Sequence, residues 1–311
     1  MLRGAHLQSI LPSTSLRRAR VWRRAAELLA VSYPVELDCG DQVTLAGYHS
    51  ANRSSNSLVV IVHGWEGAAD SSYVLSAAAH LYAQGHSIFR LNLRDHGDTL
   101  HLNSGIFHSC RLREVVGAIS AISNQFKPER LSLVGFSLGG NFMLRVAADP
   151  QAPAIERVVA VGPVLDPSRT MQALENGPGI YKRYFLKKWR RSLQAKARIW
   201  PDLYRFDQLH RYKSLAQMTE DLVLQHTEFS TLSDYLNGYA IIGNRLALLK
   251  APSVILAALD DPIIPADDLN RLAGVESLKV MVTDVGGHCG YVESLSGPTF
   301  ADRYIGELLA I

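Results

Sequence analysis

Cysteine is scarce in this chain. Its 311 residues hold three, Cys39, Cys110 and Cys289, an odd number without metal-ligand spacing. That argues against a disulfide scaffold or a zinc module and makes a reducing cytoplasm the expected setting. Long hydrophobic runs are missing too. The longest stretch of Leu, Ile and Val is Leu58-Val59-Val60-Ile61-Val62, far short of the ~20 residues that cross a bilayer as a helix. The first residues lack the apolar stretch of a secretory signal. What is abundant is apolar character, 47%, against 20% charged residues, a balance that builds a core and excludes a disordered or collagen-like chain. The length fits one large domain, or one domain carrying an insertion.

The net charge of +3 is unevenly spread. Residues 181–213 carry eleven Lys and Arg against Asp202 and Asp207, a local +9 in a chain that is otherwise acidic. Residues 1–32 read as a basic arm with Arg17, Arg18, Arg20, Arg23 and Arg24 among apolar positions. Next come two short strand patterns, Tyr33–Asp38 and Val43–His49, joined by the turn signal Cys39-Gly40-Asp41-Gln42 and expected to form a hairpin.

From residue 58 the pattern alternates between strands and helices. Strands are expected at 58–62, 87–93, 130–134 and 157–161, and helices at 72–84, 108–126 and 138–148. Fully apolar, β-branched strands separated by helices imply a mostly parallel sheet covered on both faces. Residues 166–245 break the rhythm with aromatic and basic helical sequence. Strands resume at 252–259 and 278–283, with helices near 267–272 and 298–309. The organisation expected is an α/β core of residues 33–165 and 246–311, with a helical cap, 166–245, inserted between strands 6 and 7.

The strongest chemical signal is Gly135-Phe136-Ser137-Leu138-Gly139-Gly140, which follows a strand and opens a helix. That is the setting of a nucleophile elbow. Small residues two positions either side of Ser137 permit a sharp, strained turn, and the helix N-terminus favours developing negative charge. A serine nucleophile needs a base, and the base an orienting acid, in the chain order Ser, Asp or Glu, His. Asp260-Asp261-Pro262-Ile263-Ile264-Pro265 follows one late strand, and His288 lies in Gly286-Gly287-His288-Cys289-Gly290 after the last. Catalytic groups collect at such strand ends. Asp261 is preferred as the acid, with Asp260 the fallback. Oxyanion donors are expected from the backbone N–H groups of Leu138 and of Trp65 in His63-Gly64-Trp65. His63 reads as structural. Trp65 and Phe136 are the expected substrate-contacting side chains.

With these motifs in view, the chain resembles the YheT-like family of α/β-fold hydrolases nearly end to end. The shared pieces are His6-Leu7-Gln8-Ser9-Ile10-Leu11-Pro12, His63–Gly67 with Ser71-Ser72-Tyr73, Asn92–Gly97, Gly135–Asn141, Asp260–Pro265 and Gly286–Gly290. The basic stretch Tyr184–Arg191 is similar to that family's insertion. The resemblance implies an α/β-hydrolase fold and a carboxylesterase with the triad Ser137, Asp261 and His288, without metal or cofactor. It also implies a small-molecule ester substrate that could be lipid-like. Trp65 departs from the smaller apolar residue usual in relatives, which could narrow an acyl pocket. A thioesterase or perhydrolase using the same triad stays open, as does a non-catalytic binding protein of the same fold. Epoxide hydrolases and dehalogenases are disfavoured because they use an Asp nucleophile.

Weaker signals complete the reading. Asp95, His96, Asp98, His101 and His108 carry metal-ligand chemistry but no standard spacing, so a hydrogen-bonded loop is expected. The basic segment reads first as a solvated helical face. A second reading is peripheral contact with an anionic membrane, aided by Phe185, Trp189, Ile199 and Trp200. Nucleic acid is not an expected partner, since no binding motif accompanies the charge. Cys289 is expected to pack rather than react.

Overall fold

The computed structural model describes residues 4–53 and 55–310. Three short helices, α1 (Ala5–Ile10), α2 (Ser15–Arg24) and α3 (Ala26–Ala30), lead into β1 (Ser32–Asp38) and β2 (Thr44–Ser50). Then follow β3 (Ser57–Val62), α4 (Ser72–Ala83), β4 (Ser87–Asn92), α5 (Leu112–Phe126), β5 (Arg130–Phe136), α6 (Leu138–Ala148) and β6 (Arg157–Val161). Four helices intervene, α7 (Pro167–Asn176), α8 (Gly179–Ile199), α9 (Leu215–His226) and α10 (Leu232–Gly238). The chain closes with β7 (Ser253–Ala258), β8 (Leu278–Thr283) and α11 (Phe300–Leu308).

The strands form one sheet in the order β1-β2-β4-β3-β5-β6-β7-β8. β2 runs antiparallel to both its neighbours, and every pairing from β4 to β8 is parallel. All six residues of β3 and all six of β7 are buried, which is why each runs apolar without alternation from its second residue onward. Alternation survives in the choice of core. Leu58, Val60 and Val62 enter the cluster shared with α5, α6 and the helices between β6 and β7. Val59 and Ile61 enter the opposite cluster with α4 and α11. Each such side chain contributes about 1.5–3 kcal/mol on burial, so the central strands fix the sheet register. No helix among the described residues is long and apolar enough to cross a membrane.

Several boundaries depart from the pattern read in the sequence. The helix expected from residue 108 begins at Leu112, because His108–Arg111 close a turn through the Arg111 N–H on the His108 carbonyl. The helix expected near 267–272 is a 3-10 turn, Ala266–Arg271, built around the buried Asp268 carboxylate that pairs with Arg169 and Arg271. The N-terminal stretch is docked on the core. Val21, Ala25 and Leu28 bury one stripe, and the buried Arg17 guanidinium donates to the Ser294 and Gly297 carbonyls.

Candidate active site

Ser137 sits between β5 and α6 with φ 52° and ψ −118°, a backbone conformation that costs a non-glycine residue about 1–3 kcal/mol. The surroundings hold it there. Its N–H donates to the Val161 carbonyl at 2.8 Å, and its carbonyl accepts from Asn141 N–H in the first turn of α6. A Cβ on Gly135 would stand 2.3 Å from the Gly139 carbonyl oxygen, and one on Gly139 would stand 2.4–2.5 Å from the carbonyl oxygens of His63 and Val62. Any side chain at either position would push the turn apart. Asn141 further ties α6 down by donating to the Val164 and Tyr239 carbonyls.

Two loops after β7 and β8 meet this turn. His288 Nε2 lies 2.9 Å from Ser137 Oγ, and His288 Nδ1 lies 2.9 Å from Asp261 Oδ2. Asp261 Oδ1 accepts the N–H groups of Ile263 at 2.8 Å and Ile264 at 3.0 Å, a local turn that aims the other oxygen at the imidazole. The Asp261 side chain is 4% exposed and that of His288 14%, so the chain of contacts is nearly dry yet reachable at its serine end. Asp260 does something different. Its Oδ1 accepts from both Gly286 and Gly287 N–H at 2.8 Å, bracing the loop that carries His288. The two neighbouring aspartates therefore face the same loop, one at its backbone and one at its ring.

The loop after β3 approaches from the other side. Gly64 packs so close that a Cβ there would lie 3.1 Å from Ser137 Cβ. Its N–H donates to the buried Tyr73 hydroxyl at 3.0 Å. Among the described residues, the N–H groups of Trp65 and Leu138 donate to no protein acceptor. His63 and His96 hold the loop from beneath. His63 Nδ1 lies 2.7 Å from the Gly64 carbonyl while Nε2 accepts the Leu93 N–H. His96 Nδ1 lies 2.7 Å from the Arg94 carbonyl while Nε2 accepts the Glu66 N–H. Burial pulls the His96 imidazole down to about 4 and holds His63 well below its ordinary value, so both serve as neutral donor-acceptors.

Helix α8 presses on this same loop with one face. Trp65 stacks on Phe185 at 5.1 Å between centroids and meets Trp189 edge-on. Lys188 Nζ donates to the Glu66 carbonyl at 2.6 Å, and Ser192 donates to the Glu66 carboxylate at 2.7 Å. One turn on, Lys196 is 1% exposed and its ammonium reaches Asp95 Oδ1 at 2.7 Å together with the Leu100 and Asn103 carbonyls. The expectation that the basic segment is a solvated face thus fails at Lys196, which the Asp95 carboxylate draws inward. Glu66, Tyr73 and Lys188 lie within stretches shared with the resembled family, but their contacts and that of Ser192 could not be read from sequence, because the partners lie on distant elements.

Phe136 corrects another expectation. At 2% exposure it packs with Tyr73 under the turn and presents no surface to a substrate. Cys289 Sγ donates to the Val161 carbonyl, and burial lifts its thiol well above the ordinary range. Of the candidate metal-ligand loop, Asp95 pairs with Lys196 and His96 with backbone. Among the described residues no cluster of His, Cys, Asp and Glu could hold a metal ion.

Solved structures with this architecture include an esterase from Pyrococcus furiosus, 17% identical over 89% of each chain with a TM-score of 0.61. A serine hydrolase from Cycloclasticus zankles is 14% identical over 90% of this chain and 96% of its own, at a TM-score of 0.60. A bacterial membrane phospholipase A described as a virulence factor is 16% identical over 98% and 93%, at 0.58. At such identities the likeness is one of fold. Among curated proteins nothing matches. The family profile described as alpha/beta hydrolase fold matches residues 57–295, spanning the sheet from β3 onward, the serine turn and both loops that meet it. With more than half its length matched, the chain belongs to the alpha/beta hydrolase fold family.

Proposed function

We propose that this protein is a carboxylic ester hydrolase working by acyl transfer through Ser137, and that it falls in the YheT-like branch of its family. The observation that carries the reading is the unbroken 2.9 Å, 2.9 Å relay from Ser137 Oγ through His288 to Asp261. In this mechanism Ser137 attacks the ester carbonyl carbon as its proton passes to His288 Nε2. Asp261 accepts the Nδ1–H, keeps that tautomer and stabilises the imidazolium. The tetrahedral oxyanion takes the free N–H groups of Leu138 and Trp65 at the α6 N-terminus, where peptide dipoles also favour it. His288 then protonates the leaving alcohol, and a water activated by the same nitrogen releases the acid. Esterases and a serine hydrolase among the similar folds support the reaction class.

The substrate we infer has an apolar acyl part. The Trp65, Phe185 and Trp189 rings lie against the loop that would donate to the oxyanion, a setting suited to hydrocarbon. The outer face of α8 supports delivery from an anionic lipid surface. Arg183, Lys187, Arg191 and Arg198 recur there at helical spacing, all exposed, with Ile180 and Tyr184 exposed beside them. Among the described residues none of these four cations is in an ion pair, and α8 itself contains no acidic residue. Vesicles of anionic phospholipid should sediment the protein at low salt and release it as salt rises. Equal sedimentation with neutral vesicles would contradict this.

The test of the reaction is hydrolysis of p-nitrophenyl butyrate by the wild type and by Ser137→Ala. Loss of turnover with an unchanged melting temperature supports the reading, and undiminished turnover defeats it.

A further inference from the structure

The motif His6–Pro12 and the glycines around His288 have no part in the reaction as written, yet they touch. Helix α1 lies on the His288 loop. Ser9 Oγ accepts the His288 backbone N–H at 2.9 Å, while its own hydroxyl proton is spent on the Ala5 carbonyl at 2.8 Å. That second bond fixes the rotor and leaves a lone pair aimed at His288. The neighbouring Gln8 is fully buried, and its carboxamide grips Val292 at both ends. Nε2 donates to the Val292 carbonyl at 3.0 Å and Oε1 accepts the Val292 N–H at 2.6 Å.

The glycines record the same contact. A Cβ on Gly287 would lie 2.6 Å from the Ala5 carbonyl oxygen, and one on Gly290 would lie 2.1 Å from that of Gln8. The loop flanks His288 with glycine because the backbone of α1 occupies the space a side chain would need. The loop is thus gripped from two sides. Asp260 takes the N–H groups of Gly286 and Gly287, Ser9 takes that of His288, and Gln8 takes that of Val292. Between them Cys289 and Tyr291 are held at φ 58° and 47°, a tight path that would relax without both grips.

We propose that Ser9 and Gln8 are positioning residues for His288: the N-terminal segment completes the active site by locking the backbone of the base loop, so that the imidazole spans Ser137 and Asp261. This rests on the reading of His288 as the base. A displacement of the ring by about 1 Å is enough to cost up to two orders of magnitude in rate. Neither residue touches the substrate in this scheme, so the loss should fall on kcat and leave KM alone.

The full-length protein is assayed with p-nitrophenyl butyrate as wild type, Ser9→Ala, Ser9→Thr, Gln8→Ala and Ser137→Ala, each with its melting temperature. Ser9→Ala should lower kcat about ten- to hundredfold with KM within about twofold. Ser9→Thr, which keeps the hydroxyl, should regain most of the rate, and Gln8→Ala should lose at least as much as Ser9→Ala. A purely structural role would lower the melting temperature and leave the kcat of the folded fraction intact. Wild-type kcat in Ser9→Ala, or a Ser9→Thr variant as impaired as Ser9→Ala, overturns the proposal. Should Gln8→Ala fail to fold, the two Ser9 variants decide alone. An inactive Ser137→Ala beside an unimpaired Ser9→Ala overturns the positioning role only, whereas a fully active Ser137→Ala overturns the hydrolase reading and this proposal with it.

Discussion

Replacing each of the adjacent aspartates by asparagine separates their two jobs. In Asp261→Asn the amide has one oxygen to place. Kept at the Oδ1 position, it still accepts the Ile263 and Ile264 N–H groups. The NH2 then faces His288 Nδ1, 2.9 Å away in the wild type. The reverse orientation would set an NH2 against two backbone donors and leave both unsatisfied, at about 1–3 kcal/mol each. The first orientation wins. It forces Nδ1 to accept, moves the imidazole proton to Nε2 and so blocks uptake of the Ser137 proton. The expected loss in kcat is about 10⁴-fold, about 5.5 kcal/mol of barrier. In Asp260→Asn the amide oxygen can still accept from Gly286 and Gly287, and only the charge assistance is lost. The expected cost is about 1–2 kcal/mol of stability with kcat within about tenfold of wild type. Initial rates at saturating p-nitrophenyl butyrate, with melting curves on the same samples, measure both. Equal losses in the two variants, or an Asp261→Asn enzyme keeping a tenth of wild-type kcat, would refute this division of labour.

Further outcomes follow from the buried charges. Lys196→Met should lower unfolding stability by about 3–5 kcal/mol, because Asp95 and two carbonyls lose their cation in a dry setting. Urea denaturation checks this, and a change below about 1 kcal/mol would contradict it. Stability should also depend on pH through buried histidines. Burial lowers His96 to about 4 and His108 to about 3, both below the value near 6.5 of an unfolded chain. Between those limits the unfolded state binds more protons, so stability is complete above about pH 6.5 and falls as pH drops. From pH 7 to pH 5 each of the two should cost about 2 kcal/mol, and His108→Leu should remove its own share of that slope. A urea midpoint unchanged between pH 7 and pH 5 would contradict the assignment.

Much of the fold was legible because its signals are local. Leu58–Val62 and Val254–Ala258 are apolar on both faces, and only a sheet covered on both sides buries such strands. The serine turn announces itself through Gly135 and Gly139, whose missing side chains the close approach of backbone demands. Asp260 and Asp261 could not be told apart with the same force, since both follow one strand. What separates them is the direction the chain takes through Ile263 and Ile264, which frees the second carboxylate for the histidine. Contacts between remote segments left no trace. Ser9 and His288 are 279 positions apart, and nothing in either neighbourhood specifies the other. The same holds for Lys196, which reads as one more surface cation until Asp95 is seen beneath it. Phe136 adjoins Ser137 in the sequence, yet the strand pleat turns it into the core next to Tyr73 rather than toward a substrate.

The central claim is that Ser137 is the nucleophile of an acyl-transfer site. A fluorophosphonate probe reacts with a serine only when a base and oxyanion donors are assembled around it. Incubation of the folded protein with that probe, followed by peptide mapping, should place one adduct on Ser137, with no labelling of Ser137→Ala and greatly slowed labelling of His288→Ala. Folded wild-type protein that stays unlabelled, or an adduct on any other residue, would contradict the account.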